Sequence, residues 1–193
     1  MAAITVNLSP TFELNDDSFY DLCRNNPDLK FERTADGELI IMSSVGGEGG
    51  KREADLITDL TIWNRQTNLG VVFSSSAGFK LPNGGDRSPD AAWVKQERWD
   101  TLTPAQRRRF PPIAPDFLIE LRSESDELEP LRNKIQEYMD NGVKLGWLIN
   151  PQGQQVEIYR QGQAVEILDS PEQVSGDPTL PGFILNLSRI LRS

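Results

Sequence analysis

Residues 115–122 read Pro115-Asp116-Phe117-Leu118-Ile119-Glu120-Leu121-Arg122, and a helical pattern and a second strand-like run follow over 127–149. The first stretch is a short apolar run that carries one acid, and Pro111, Pro112 and Pro115 make a stiff extended entry into it. It predicts a strand over 116–122. Glu127 to Asn141 predicts a long helix, closed by Gly142 where glycine is favoured after a helix end. Val143 to Ile149 predicts the next strand. Strand, helix, strand in that order is a βαβ crossover, which pairs its strands in parallel. The chain is therefore expected to be α/β or α+β, with a mixed, twisted central sheet.

Outward from that unit the remaining elements follow. Asn15 to Asn26 predicts a short helix that begins with acids and stops at Pro27. Leu29 to Ser43 predicts a hairpin turning at Ala35-Asp36-Gly37. Gly46, Gly47, Gly49 and Gly50 predict a flexible loop, and they lack the Gly-Lys-Ser/Thr ending of a phosphate-binding loop. Glu53 to Gln66 is the clearest amphipathic helix, with Leu56, Leu60 and Trp63 at helical spacing and Ile57 and Ile62 beside them. Leu69–Ser74, Ala77–Leu81 and Asp90–Lys95 predict strands, with a turn at Pro82-Asn-Gly-Gly-Asp86. A helical turn or two falls within Glu97–Arg109, with Thr103 and Pro104 as cap and first-turn residues. Gln155–Tyr159 and Val165–Leu168 predict two more strands, and Leu180–Leu191 a short strand or helix. No linker, repeat or low-complexity stretch interrupts the chain, so one domain is expected over residues 1–193.

The 193 residues are 37% hydrophobic and 25% charged, ordinary for a globular domain. No apolar stretch approaches the roughly 20 residues of a membrane span. Met1 to Pro10 lacks the basic segment and apolar core of a secretory signal. The single Cys23 fits a reducing compartment, and a cytoplasmic location is expected. Histidine is absent, which removes histidine triads and histidine-ligated zinc, and one cysteine cannot build a thiolate zinc site. The formal charge of −9 argues against broad non-specific binding of nucleic acid, although a local basic groove is compatible with it.

Several polar residues interrupt apolar patterns. Asp90 follows Pro89 at a strand entrance; taken alone it is a turn residue. Glu120 shares a strand face with Leu118 and Arg122, and the simple alternative is an edge-strand ion pair with Arg122. Lys134 and Tyr138 lie one helical turn apart, and the simple alternative is a solvent-facing lysine beside a core tyrosine. Glu32 interrupts an apolar strand and could pair with Lys30 or Arg33. Arg107-Arg108-Arg109 reads as a solvated helix face or a phosphate contact. An acid inside a hydrophobic strand needs a compensating cation. Two such acids on neighbouring strands can hold Mg²⁺, which takes oxygen ligands and one or two protein carboxylates.

The ordered set of these pieces resembles the PD-(D/E)xK nuclease-like superfamily. The whole chain resembles the Uma family of restriction endonuclease-like proteins, of cyanobacterial type. The carriers are Phe31-Glu32 with Asp36-Gly37-Glu38-Leu39, then Arg87-Ser88-Pro89-Asp90, then Pro115 to Asp126, then Lys134, Tyr138, Gly142-Val143 and Trp147 to Pro151. They extend from about Phe31 to about Tyr159, a core of about 31–160. The resemblance implies a restriction-endonuclease-like mixed sheet flanked by helices, preceded by an N-terminal helix and hairpin. It implies a DNA endonuclease dependent on Mg²⁺ or Mn²⁺, with Asp90 and Glu120 as metal ligands and Glu32 as a further acid. Arg122 stands where the superfamily usually has lysine. Arginine cannot act as a base but can stabilise developing charge, and Lys134 is expected to supply the missing amine. Many members have a histidine at the start of the first long helix; here Lys51 and Arg52 stand nearby. With Arg87 and Tyr138 they are expected to contact DNA phosphates. Members that cut both strands often pair, so a homodimer is expected. The alternative is a DNA-binding or regulatory protein on the same fold with little hydrolytic activity, and a more distant one is an acid-pair hydrolase of sugars.

Overall fold

The computed structural model describes residues 3–192. In chain order the elements are β1 (Ile4–Val6), α1 (Asp16–Asn25), β2 (Lys30–Arg33), β3 (Leu39–Met42) and α2 (Gly47–Thr67). Then come β4 (Gly70–Ser74), β5 (Phe79–Lys80), β6 (Asp86–Arg87), β7 (Ala91–Lys95), α3 (Gln96–Asp100) and α4 (Pro104–Arg107). The last are β8 (Phe117–Leu121), α5 (Leu128–Asp140), β9 (Leu145–Asn150), β10 (Gln155–Arg160), β11 (Glu166–Asp169), β12 (Gln173–Ser175), β13 (Ile184–Asn186) and α6 (Ser188–Leu191).

The central sheet has the strand order β11-β10-β9-β8-β7-β4. The βαβ reading of 116–149 is confirmed: β8 and β9 run parallel, with Glu120 opposite Leu148, and the other neighbours in this sheet run antiparallel. The strand alternation distributes its side chains to two cores. Ala91, Trp93, Phe117, Ile119, Trp147 and Ile149 face α2 and the C-terminal hairpin and helix. Ala92, Val94, Leu118 and Leu148 face the Ile135 and Tyr138 side of α5. Gly142, at φ +98°, turns the chain out of α5 in a conformation that side chains rarely adopt.

The structure departs from the sequence reading in several places, among them the unpredicted strands β6 and β12. The expected mixed central sheet is present, and a second large sheet accompanies it. β1, β3, β2, β6 and β5 form a second, five-stranded sheet, in which the predicted 29–43 hairpin sits. The glycines at 47, 49 and 50 are not a loop but the first turn of α2. Glycine disfavours helix intrinsically, yet Leu56, Leu60 and Trp63 anchor the later turns in the core and Gly50 N donates to Gly46 O at 3.0 Å. β1 was not expected; two exposed residues and the half-buried Val6 form a strand by pairing with the edge of β3. The C-terminal segment forms both a strand, β13, and a helix, α6.

Trp63 shows how α2 is fastened. Its ring meets Trp93 edge-on with centroids 5.7 Å apart, and its Nε1 donates to Pro181 O at 3.1 Å. Truncating a buried side chain leaves a cavity in addition to the lost burial. Leu60→Ala and Trp63→Ala should each lower unfolding free energy by roughly 2–5 kcal/mol in denaturant titrations. A loss under about 1 kcal/mol would mean that α2 is not anchored by this stripe.

Candidate active site

The segment Ser88-Pro89-Asp90 passes from β6, in the five-stranded sheet, to β7, in the six-stranded one. Its position puts residues of both sheets side by side. Asp90 N donates to Ile119 O at 3.1 Å, and the antiparallel register that pairs Ala91 with Ile119 sets Asp90 beside Glu120. Asp90 Oδ2 accepts from Leu121 N at 2.7 Å. Glu32, on β2, accepts from Ser88 N at 3.0 Å through Oε1. Lys134 comes down from α5 onto this junction: its Nζ lies 2.9 Å from Glu32 Oε1, 2.9 Å from Glu120 Oε1 and 3.4 Å from Ser88 O.

Glu32 and Glu120 are 1% and 3% exposed, so their charges depend on these neighbours and not on water. Burial pushes Glu32 toward the neutral acid, but Lys134 and Arg87 together reverse this and hold it below the usual carboxylate range. Burial raises Glu120 to about 7; Lys134 opposes the rise, while Asp90 and Glu32 add to it. Burial also raises Asp90. Lys134 is held protonated: burial works against its charge, and Glu120, Glu32 and Asp90 more than restore it. One ammonium is thus shared at contact by Glu32 and Glu120, with Asp90 adding to the field around it.

This answers the simple alternatives. Glu120 pairs with Lys134, not with Arg122, and Glu32 pairs with Arg87 and Lys134, not with Lys30 or Arg33. Lys134 is nearly buried and does not face solvent. Arg122 is not brought into the cluster. β8 ends at Leu121, and beyond it the Arg122 guanidinium donates to Asp126 O at 3.0 Å and Asn150 Oδ1 at 3.2 Å. Of the residues expected at DNA phosphates, Tyr138 is 0% exposed, and its ring lies beneath Lys134 with Nζ 5.9 Å from the centroid. Arg87 is buried in ion pairs with Glu32 and Glu137. Tyr138 presents no surface to a phosphate, and Arg87, although it lines the cleft, is already paired with two acids. Lys51 is exposed and Arg52 half-buried near the start of α2. Arg107 and Arg109 are engaged with Asp100 and Asp17.

The cluster opens into a cleft of about 760 Å³, walled on one side by β3 and on the other by the 123–127 loop and the start of α5. Eight acids and three cations line it. Such a cleft repels phosphate unless further cations neutralise it.

A family model described as "Uma2: Putative restriction endonuclease" matches residues 16–188. The chain belongs to this family. It is also similar to the crystal structure of "a putative nuclease belonging to DUF820" from Anabaena variabilis ATCC 29413. That likeness covers 83% of this chain and 89% of the other, at 19% identity and a TM-score of 0.70, and it shows a shared nuclease-like fold. No curated protein matches the chain. No helix among the described residues is long and apolar enough to cross a membrane.

Two cleft acids, Glu53 and Glu137, were not singled out in the sequence. Glu53, on α2, accepts a hydrogen bond from Ser75 Oγ, lines the cleft and adds its charge to the field at Asp90. A signal was present: Glu53 precedes Leu56 and Leu60 by three and seven residues, on the stripe that faces inward. The donor set suits a hard divalent cation. Two neighbouring carboxylates are under-compensated, and Glu120 Oε1 has no aligned hydrogen bond despite its ion pair with Lys134. Among the described residues no group of three or more acids, histidines or cysteines is placed to hold a metal ion. Mg²⁺ needs no such group, because it retains water and takes one or two protein carboxylates.

The folded-state value of Glu120, about 7, lies above its ordinary 4.5. Ionising it therefore costs the native state, and stability contributed by the neutral acid is lost as pH rises between those values. With a chelator present, Glu120→Gln should gain stability relative to the parent chain by roughly 1–3 kcal/mol between pH 4.5 and pH 7.5, read from denaturant melts. A difference that does not change with pH would show that the acid is fully compensated without a metal.

Proposed function

We propose that this chain is a DNA endonuclease dependent on Mg²⁺ or Mn²⁺, with Asp90 and Glu120 holding the ion. The observation that carries the reading is the convergence of Asp90, Glu120, Glu32 and Lys134 at one cleft from four separate segments. When bound, the cation would offset the acids of the cleft and supply Lewis-acid stabilisation of phosphoryl oxygens.

The chain's own groups divide the remaining work. Asp90 is fixed at one oxygen by Leu121 N, which leaves the other for the ion. Glu120 sits across the strand pair and is kept near its ionisation point, so it would give up its proton to hold a cation at little cost at neutral pH. Lys134 is protonated and held by two carboxylates, so it acts as a donor and not as a base. From there Nζ orients an attacking water and stabilises the charge that grows on phosphate oxygens. Glu32 holds Lys134 at its post. Arg122, anchored to Asp126 O and Asn150, shapes the loop that edges the cleft. Exposed Lys51 and neighbouring Arg52 are the proposed contacts for flanking DNA phosphates. One such cluster cuts one strand, so double-strand cutting on this reading takes two copies of the chain.

Plasmid DNA incubated with the protein and Mg²⁺ or Mn²⁺ should be nicked or cut, and chelation should stop the reaction. Asp90→Ala and Glu120→Ala should abolish cutting. Lys134→Gln should slow it by about 10²-fold or more, the usual loss of a charge-stabilising donor. Arg122→Gln should lose far less than Lys134→Gln. Persistent DNA binding without metal-dependent cutting on duplex or single-stranded substrates would replace this reading with that of a non-hydrolytic DNA-binding or regulatory module. The acidic cleft and the displaced Arg122 are the features that favour that outcome.

A further inference from the structure

The proposed reaction uses neither Arg87 nor Glu137, yet both are tied into its cluster. Arg87 lies three residues before Asp90, and only a tenth of its side chain reaches solvent. Its Nη1 is 3.1 Å from Glu32 Oε2, its Nε donates to Glu137 Oε2 at 2.8 Å, and its Nη2 is 2.5 Å from that same oxygen. The other oxygen of Glu137 accepts from Asn83 Nδ2 at 2.9 Å. Asn83 sits in the β5–β6 turn, whose Gly85 N donates to Asn83 Oδ1 at 3.0 Å, and its own N donates to Asn141 Oδ1, past the end of α5, at 2.8 Å. A Cβ at Gly85 would stand 3.0 Å from Glu137 Oε1 and 3.3 Å from Asn83 Oδ1, so the turn has glycine where the carboxylate docks. Glu137 is therefore clamped on both oxygens.

The result is a row of alternating charge: Glu137, Arg87, Glu32, Lys134, Glu120. Every inner member is shared. Arg87 is divided between two acids, Glu32 between two cations, and Lys134 between Glu32 and Glu120. In a buried network of this kind the placement of one charge depends on the partners of its neighbour. Lys134 and Glu137 are three apart on one helix, so α5 holds the row at two points.

We propose that Glu137 and Arg87 are positioning residues that set how Lys134 divides its ammonium between Glu32 and Glu120, and thereby how readily Glu120 accepts a divalent cation. Only the kinetic part rests on the nuclease reading. With the charge of Glu137 removed, Arg87 turns fully to Glu32. Glu32 then holds Lys134 less, Lys134 moves onto Glu120, and an incoming cation meets a carboxylate that is already neutralised.

The test is Glu137→Gln in the full chain, with three readouts. In ¹⁵N-lysine NMR without metal, the Lys134 ammonium resonance, assigned by its disappearance in Lys134→Gln, should shift while other lysines stay in place. Mn²⁺ alone, titrated without DNA, should bind roughly 10-fold more weakly, the scale of outer partners of metal ligands. On DNA, kcat should fall by about as much while KM holds. Arg87→Lys keeps the charge but lacks the fork that bridges two acids. It should shift the same resonance, and it serves as the test if Glu137→Gln does not fold. A Lys134 resonance and an Mn²⁺ affinity unchanged in both variants would overturn the proposal. So would a rise in KM with kcat and Mn²⁺ affinity intact, which would make the pair a substrate contact. A parent protein that binds Mn²⁺ but cuts nothing would sink the nuclease reading alone, and the resonance and Mn²⁺ readouts would still decide the positioning role.

Discussion

The ammonium of Lys134, shared at 2.9 Å by Glu32 and by Glu120, is the interaction on which the arrangement of the molecule turns. Glu32 belongs to the five-stranded sheet and Glu120 to the six-stranded one. Each carboxylate would be costly to bury alone, and losing one member of a buried ion pair costs on the order of 3–5 kcal/mol. A single cation thus couples the sheets that Ser88-Pro89-Asp90 connects through the backbone. It does so incompletely: burial raises Glu120 to about 7, and Lys134 only partly opposes the rise.

The apolar architecture explains why the polar cluster falls where it does. Both faces of the central sheet are covered along the middle of the strands, by α2 and the C-terminal hairpin on one side and α5 on the other. A buried acid in this sheet needs a cation from the covering helix, as Glu157 in the middle of β10 has in Arg132 of α5. Asp90 is at the start of β7 and Glu120 is one residue from the end of β8, and their antiparallel pairing brings these ends together. The Lys134 face of α5 is continuous with the core face of Ile135 and Tyr138, so the core packing of the helix also orients the ammonium. Stability and site geometry therefore have a common origin in α5.

On the proposed reading, the charge of the cleft constrains how a nucleic acid would enter. With eight acids against three cations, attraction for phosphate must come from bound cations or from surfaces outside the cleft. Lys51, exposed in the first turns of α2, lies on an element that also carries the cleft residue Glu53.

The sequence by itself determined the βαβ unit, the 29–43 hairpin and the amphipathic α2, because periodicity, proline and glycine act over a few residues. Glu32 and Glu120 stood out locally as acids in apolar strands, whereas Asp90 and Lys134 became site candidates only through the ordered set of motifs that resembles the nuclease-like superfamily. Partner choice was not legible. Arg122 has the strand spacing to join Glu120, but β8 ends one residue too early and Asn150, on the neighbouring strand, takes the guanidinium. Tyr138 was read as a phosphate contact, and its burial depends on Phe79, Leu81 and other residues distant in sequence. The division into two sheets, the three-residue β1 and the helical glycines of α2 likewise arise from pairing and packing across the fold. Local pattern marks which residues must be compensated; only tertiary structure decides what compensates them, because the partners come from segments as far apart as β2, β6 and α5.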